Sequence, residues 1–235
     1  MHPVEKIIEK YGKPEAILLD WDNTLADSWG VIFKSLNKAF KGLGMEEWSF
    51  EDVQNGRENI HHSLRESFPK IFGNRWEEAR DIYYKSFLEC HLDEIKLLPE
   101  AENTLKTLKN LDAHIAIVSN KTNKYLRDEL NHLGISHYFD EIVGAGDAEK
   151  DKPHKEPLLL ALSSSTILEA DFASKVWMIG DSKTDIEAAI NTNCIPILYG
   201  DADVSNFIAE NKINTDNLYK INNHLHFQEL LNKHF

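Results

Sequence analysis

Two aspartates, Asp20 and Asp22, are the residues whose type and spacing first suggest chemistry in this sequence. They follow the short apolar run of residues 16–19, a pattern typical of a strand buried on both faces of a parallel sheet. Such sheets bind ligands at the carboxyl ends of their strands, and residues two apart in an extended chain point the same way. Both carboxylates are therefore expected in one pocket, where their repulsion predicts a cation or a proton between them.

A structural explanation of these two aspartates must be weighed against the chemical one. An aspartate at the end of a strand is commonly a turn former or the N-cap of a helix. For Asp20 and Asp22 by themselves, the structural explanation is the better one. The other strand ends of the chain decide between the two.

Polar residues also follow two other apolar runs. Residues 115–118 lead into Ser119-Asn120, and residues 176–179 lead into Gly180-Asp181. In a parallel sheet the carboxyl ends of these strands meet at one edge. Asp185 lies four residues after Asp181, so on a helix the two residues face the same side. The sequence therefore predicts a cluster of carboxylate, hydroxyl and amide groups at that edge.

Such a cluster is suited to phosphoryl transfer. One carboxylate can attack phosphorus and form an aspartyl-phosphate, and a second can protonate the leaving alcohol and then deprotonate water. Mg²⁺ takes oxygen ligands and would join the nucleophilic carboxylate to the phosphoryl oxygens. Lys152, in a predicted loop, and a hydroxyl would hold the remaining phosphoryl oxygens.

Strand-like runs alternate with helical patterns over most of the chain, which predicts right-handed crossovers and an α/β fold with a mostly parallel sheet. The predicted strands are residues 16–19, 115–118, 141–144, 176–179, 194–199 and 218–221. From about residue 27 to about residue 96, apolar residues recur instead at intervals of three and four, which predicts helices. We interpret this block as a small helical bundle inserted after the first strand.

Together these motifs resemble those of the haloacid dehalogenase superfamily, in particular phosphatases with a helical cap of the phosphoglycolate-phosphatase type. The matching motifs are, in chain order, residues 20–24, Ser119-Asn120, Lys152-Pro153 and residues 180–185. One such motif is weak, but four in the expected order are specific. The resemblance covers nearly the whole chain. It implies a Rossmann-like core domain of residues 1–26 and 97–235 and a helical cap domain of residues 27–96.

The resemblance also implies a role for each matching residue. The implied catalytic residues are Asp20 as nucleophile, Asp22 as general acid and base, and Lys152. Mg²⁺ is the implied cofactor, and its implied ligands are Asp20, the main-chain carbonyl of Asp22 and Asp181, with Asp185 behind them. The residues implied in phosphate binding are Thr24, Ser119, Asn120 and Lys152.

The sequence departs from the family pattern at two points. Asn23 stands where the family usually has glycine, although asparagine also adopts left-handed backbone angles. The third motif commonly has a proline two residues after its Lys-Pro pair, and here the next proline is Pro157. Lys150 and Lys155 are therefore alternatives to Lys152, each more typical of a solvated surface charge.

The cap is expected to determine which ester the protein accepts, because it closes over the leaving group. Arg57, in a predicted loop between cap helices, is a candidate for binding an anionic substrate, and an exposed turn arginine is an equally good interpretation. His61 and His62 are further candidates, although adjacent residues on a helix diverge. The leaving group itself is not readable from the sequence.

The predicted activity is Mg²⁺-dependent hydrolysis of small phosphate monoesters. Asp22 disfavours a dehalogenase, since dehalogenases of this superfamily lack that carboxylate. A phosphonate hydrolase needs a cap lysine in a distinctive setting, which Lys34, Lys38 and Lys41 do not have. A phosphomutase of the β-phosphoglucomutase type and a catalytically silent protein that binds phosphate ligands remain the alternatives.

The composition limits the partners and the setting. A formal net charge of −13 argues against a nucleic-acid or anionic-membrane surface, which needs a basic field. Cys90 and Cys194 form no metal or redox motif, which favours a reduced compartment. No apolar run resembles a signal peptide or a bilayer-spanning segment. We therefore expect a cytoplasmic monomer or homodimer whose partner is a small phosphorylated metabolite, with no nucleic-acid or membrane partner.

Overall fold

Eight strands are seen in the computed structural model, which describes residues 3–55, 60–202, 204–210 and 218–235. In chain order they are β1 (Ala16–Leu19), β2 (Ala26–Asp27), β3 (Lys96–Leu97), β4 (His114–Thr122), β5 (Glu141–Ala145), β6 (Val176–Gly180), β7 (Ile195–Tyr199) and β8 (Tyr219–Ile221). Six of them form one sheet in the order β5-β4-β1-β6-β7-β8. All neighbours in this sheet are parallel, which confirms the predicted α/β fold.

The central strands form because their residues can be buried on both faces. Every residue of β1 is buried, and so is every residue of β6. In the register of the sheet Leu19 lies opposite Ile117 and Ile179, so the carboxyl ends of the three central strands are level. The register of β4 against β5 shifts between Val118 and Thr122. The fourth strand therefore continues past Ser119-Asn120, beyond the predicted strand end.

Twelve helices accompany the strands among the described residues. They are α1 (Pro3–Tyr11), α2 (Trp29–Gly42), α3 (Phe50–Gln54), α4 (Leu64–Phe72), α5 (Trp76–Glu94), α6 (Ala101–Lys109), α7 (Asn123–His132), α8 (Glu156–Ala161), α9 (Phe172–Lys175), α10 (Lys183–Thr192), α11 (Ser205–Glu210) and α12 (His224–His234). One apolar cluster packs α1, α6, α7 and α12 against one face of the sheet. A second cluster packs α8, α9 and α10 against the other face, which makes a three-layer α/β/α core.

Helices α2 to α5, which we call the helical insertion, lie between β2 and β3 and have an apolar cluster of their own. At their base β2 and β3 form an antiparallel ribbon in which Ala26 pairs with Leu97 and Asp27 with Lys96. The sequence did not predict this ribbon, because each of its strands has only two residues and so shows no periodic pattern. The spacing of apolar residues predicts the third helix of the block over residues 59–68, of which residue 59 lies outside the described residues. In the structure this helix, α4, begins at Leu64 and ends at Phe72.

No helix in the described parts of the chain is both long and apolar enough to cross a bilayer. The cytoplasmic setting and the monomeric or dimeric state stay predictions of the sequence.

Candidate active site

A single cleft at the carboxyl edge of the sheet contains most of the residues that the sequence singled out. Helices of the insertion form its opposite wall. The predicted site residues that line it are Asp20, Asp22, Ser119, Asn120, Lys152, Asp181 and Asp185. The register of the three central strands explains this convergence, because it brings their polar ends to one level.

The turn after β1 directs Asp20 and Asp22 into the cleft and Thr24 away from it. Asn23 has φ 59°, the left-handed backbone that asparagine tolerates, and its N–H donates to Ala26 O at 2.6 Å. Thr24, predicted to bind phosphate, does not line the cleft. It is fully buried, and its carbonyl lies 2.7 Å from Nε2 of His224. The structure thus places Thr24 behind the turn.

Lys152 is the cation at the floor of the cleft. Its side chain is 1% exposed, and its Nζ donates to Val118 O at 2.6 Å, to Asp20 Oδ1 at 2.7 Å and to Asp185 Oδ1 at 2.6 Å. These bonds use all three ammonium hydrogens. Burial lowers the pKa of Lys152, but Asp185 and Asp20 raise it more, so its pKa is raised. The alternatives Lys150 and Lys155 are both exposed.

Gly180 is required for the position of Asp185. A Cβ atom at residue 180 would lie 2.2 Å from Cγ of Asp185, closer than atoms can approach. The other oxygen of that carboxylate, Oδ2, accepts from Ser182 N at 3.0 Å and from Ser182 Oγ at 2.6 Å, which forms a capping box on α10. Both oxygens of Asp185 are therefore engaged, one with Lys152 and one with Ser182.

Asp20 and Asp181 lie beside Asp185 and form with it a suitable site for a hard cation. One carboxylate oxygen from each of Asp20, Asp181 and Asp185 lies within 4.8 Å of the other two. Burial raises the pKa of Asp20 to about 7, and Asp185 and Asp22 contribute although Lys152 opposes them. The pKa of Asp181 is also raised well above its ordinary value, mainly by burial and next by the charge of Asp20. The single ammonium of Lys152 does not balance the negative charges of these three carboxylates. Carboxylate oxygens are the ligands that Mg²⁺ prefers. The donor set therefore fits Mg²⁺.

Ser119 and Asn120 differ in what they can offer to a phosphate. The amide nitrogen of Asn120 donates to His61 O and to Lys152 O, each at 3.0 Å, so its hydrogens are engaged. The hydroxyl of Ser119 accepts from Lys121 N at 3.1 Å, and its own hydrogen is left to donate. Of Ser119 and Asn120, the geometry therefore favours Ser119 as the residue that donates to a phosphate.

Two functional candidates, Lys121 and Glu129, were missed in the sequence. Nζ of Lys121 lies 2.8 Å from Oδ1 of Asp22 and 2.7 Å from Oε2 of Glu129. A signal for Glu129 was present, since it lies three residues after Leu126 and next to Leu130, on the apolar side of α7. Lys121 had none beyond its place directly after Ser119-Asn120.

The insertion's wall of the cleft contains both candidate histidines. His61 and His62 line it, with Nε2 of His61 3.2 Å from Val53 O and Nδ1 of His62 3.2 Å from Glu66 Oε2. Burial lowers the pKa of His61. The remaining cap candidate, Arg57, lies outside the described residues.

Fold and cleft together define the class of this protein. It is an α/β enzyme that gathers aspartates and a lysine at the carboxyl edge of a parallel sheet. Comparison with known proteins makes the class specific, since the model of the haloacid dehalogenase-like hydrolase family matches residues 17–198. The chain belongs to this family, as the resemblance of its motifs predicted.

Curated relatives are similar over most of their length. A phosphoglycolate phosphatase of Aquifex aeolicus is 34% identical over 173 residues, which cover 73% of this chain and 78% of the relative. A phosphoglycolate phosphatase of Vibrio cholerae is 30% identical over 186 residues, which cover 76% and 80%. Membership of the family and these relatives indicate that the chain is a phosphatase.

Solved structures show the same architecture. A haloacid dehalogenase-superfamily hydrolase from Ehrlichia chaffeensis is 29% identical, with a TM-score of 0.62, and 94% of this chain and 97% of that one are covered. A predicted phosphatase from Clostridium acetobutylicum, 22% identical, has a TM-score of 0.76 with 94% and 99% covered. The second likeness shows the fold alone.

Proposed function

We propose that the protein hydrolyses small phosphate monoesters with Mg²⁺ through an aspartyl-phosphate on Asp20. The observation that carries the proposal is the position of the Asp20 carboxylate and the hydrogen bonds that it accepts. It stands at the end of β1 in the cleft, where Lys152 binds its Oδ1, while its Oδ2 accepts no hydrogen bond from a described residue. One oxygen is thus fixed and the other is left to attack.

In the proposed reaction the residues of the cleft act in two steps. Asp20 attacks phosphorus, and the bond between phosphorus and the ester oxygen breaks as Asp22 donates a proton to the leaving alcohol. Asp22 then accepts a proton from water, whose oxygen attacks phosphorus and breaks the bond to Asp20. Phosphate leaves and the free carboxylate is restored. The hydroxyl of Ser119 donates to a phosphoryl oxygen in both steps.

The metal belongs to the same proposal. Asp20, Asp181 and the main-chain carbonyl of Asp22 would hold Mg²⁺, and Asp185 supports the site through Lys152 and Ser182. When bound, the ion offsets the repulsion between the attacking carboxylate and the phosphoryl oxygens.

The helical insertion serves as the cap in this proposal. The ribbon of Ala26–Asp27 and Lys96–Leu97 lies where the chain leaves and re-enters the core, which supports a cap domain of residues 27–96 and a core domain of residues 1–26 and 97–235. The cleft wall contains aromatic side chains from the insertion and from α7, among them Trp29, Tyr84, Phe87 and Tyr125. An ester whose leaving group has apolar surface suits this wall.

The test is release of inorganic phosphate from p-nitrophenyl phosphate and from a panel of natural monoesters, with Mg²⁺ and with EDTA. We expect EDTA to stop release and Asp20→Asn to lower it by at least about a thousandfold, since the nucleophile is lost. Asp93→Asn, at an exposed position of α5, is the matched control and should retain activity.

The outcomes separate the proposal from its alternatives. Folded wild type that releases no phosphate from any ester with Mg²⁺ would contradict hydrolysis and favour a mutase or a silent binding protein. Full activity of Asp20→Asn would contradict the assignment of the nucleophile.

A further inference from the structure

A fully buried carboxylate, that of Glu129, has no part in the proposed reaction. Glu129 is on α7 and is 0% exposed. Three side chains contact its two oxygens: Trp21 through Nε1 at 2.6 Å, His91 through Nδ1 at 3.1 Å, and Lys121 through Nζ at 2.7 and 2.9 Å. A buried carboxylate is unfavourable unless it is paired and hydrogen-bonded, and this one is bonded on both oxygens.

The three contacts reach Glu129 from different parts of the fold. Trp21 lies between the two aspartates of the turn after β1, Lys121 lies near the end of β4, and His91 belongs to α5 of the helical insertion. The carboxylate therefore joins the aspartate turn, the central sheet and the insertion at one point.

Lys121 connects this point to the acid–base aspartate. Its side chain is 7% exposed, two of its bonds go to Glu129, and its Nζ lies 2.8 Å from Oδ1 of Asp22. Burial lowers the pKa of Lys121, but Asp22 and Glu129 raise it more, so the ammonium stays charged. At this distance the ammonium is placed to orient the Asp22 carboxylate in the cleft.

We propose that Glu129 is a positioning residue for Asp22 and acts through Lys121. The inference rests on the proposed function, since it assigns Asp22 the transfer of a proton to the leaving alcohol. Two bonds from Lys121 Nζ to Glu129 fix the ammonium, and the ammonium fixes Oδ1 of Asp22. The bond from Trp21 to the same carboxylate holds the neighbouring backbone. Without the Glu129 charge the ammonium is free to leave Asp22 for the bound phosphate.

The test compares leaving groups. An alkyl phosphate needs a proton on its leaving oxygen, whereas p-nitrophenolate is a good leaving group without one. The measured quantity is kcat/KM, which includes expulsion of the leaving group. We expect Glu129→Gln to lower kcat/KM for an alkyl ester by about 10- to 100-fold, typical of a supporting residue, and for p-nitrophenyl phosphate much less. Asp128→Asn, on the same helix, is the control.

A double-mutant cycle identifies the path of the effect. If Glu129 acts through Lys121, then Lys121→Met shows the same selective loss, and adding Glu129→Gln to it changes the ratio of the two esters no further. Should Glu129→Gln fail to fold in a thermal melt, Lys121→Met alone tests the selective loss.

Two results would overturn the inference: an equal loss on both esters, which indicates only a structural ion pair, or independent effects of the two substitutions on the ester ratio. Failure of the proposed function looks different, because wild type would then hydrolyse neither ester.

Discussion

Asp20 illustrates how strongly one residue depends on its surroundings. Its carboxyl is buried beside Asp185 and Asp22, and these neighbours together with burial raise its pKa to about 7. Between the ordinary value of 3.8 and about 7, the unfolded chain has lost this proton while the folded chain keeps it. The free energy of unfolding therefore falls as pH rises through this window, and the loss is complete above it.

The raised pKa of Asp20 leads to a prediction for metal binding. Mg²⁺ needs the deprotonated carboxylate, so its binding competes with the proton. We expect Mg²⁺ to raise the melting temperature more at about pH 8 than at about pH 5.5. Differential scanning fluorimetry with Mg²⁺ and with EDTA measures this difference. Asp181→Asn should remove most of the rise in melting temperature. An equal rise at both pH values in the wild type would contradict the assignment of Asp20 as a metal ligand.

At the scale of the element, the turn between β6 and α10 depends on the missing side chain of Gly180. An alanine there would push its Cβ into the Asp185 carboxylate, which holds Lys152. We expect Gly180→Ala to lower the free energy of unfolding by about 1–3 kcal/mol, as for an overpacked site. Phosphate release should fall by about 10- to 100-fold, since Lys152 loses a partner.

The matched control for this prediction is Gly30→Ala. Gly30 is an exposed glycine of α2, and a Cβ there would meet no atom within 4 Å. Chemical denaturation of both variants gives the two stabilities. A Gly180→Ala protein as stable and as active as the control would show that the turn relaxes without displacing Asp185.

At the scale of the whole molecule, an ion pair joins the insertion to the loop that precedes Lys152. Arg65 of α4 donates from Nε and Nη2 to the two oxygens of Asp151 at 2.5 and 2.7 Å, and the Asp151 side chain is 2% exposed. The geometry is bidentate, and charge-assisted bonds of this kind are strong. The pair therefore contributes to holding the insertion over the cleft.

We expect Arg65→Ala to lower the free energy of unfolding by about 1–3 kcal/mol, because the buried Asp151 carboxylate loses its charged partner and keeps the weaker bond from Gly146 N. Limited proteolysis should also cut the helical insertion faster. The control is Arg80→Ala, whose partner Asp81 is 70% exposed, and it should change little. Unchanged proteolysis of Arg65→Ala would mean that other contacts hold the insertion.

The sequence alone determined the elements that position the site. Continuous apolar runs predicted β1, β4 and β6, because a strand buried on both faces needs no polar side. The sequence also predicts a left-handed conformation at Asn193, between the helical pattern that ends near residue 190 and the strand that follows, because asparagine tolerates it. In the structure its φ is 60°. Such features depend on a residue and its near neighbours, so local pattern is sufficient to find them.

The tertiary structure decided which charged residues are buried and with what. Lys150, Lys152 and Lys155 are close neighbours in the sequence, yet of these three only Lys152 is enclosed by carboxylates, one of them 132 residues away. The ion pairs of Lys121 with Glu129 and of Arg65 with Asp151 were not predicted at all. A charged side chain carries the same local signal in solvent and in the interior, because its environment is formed by residues distant in the chain.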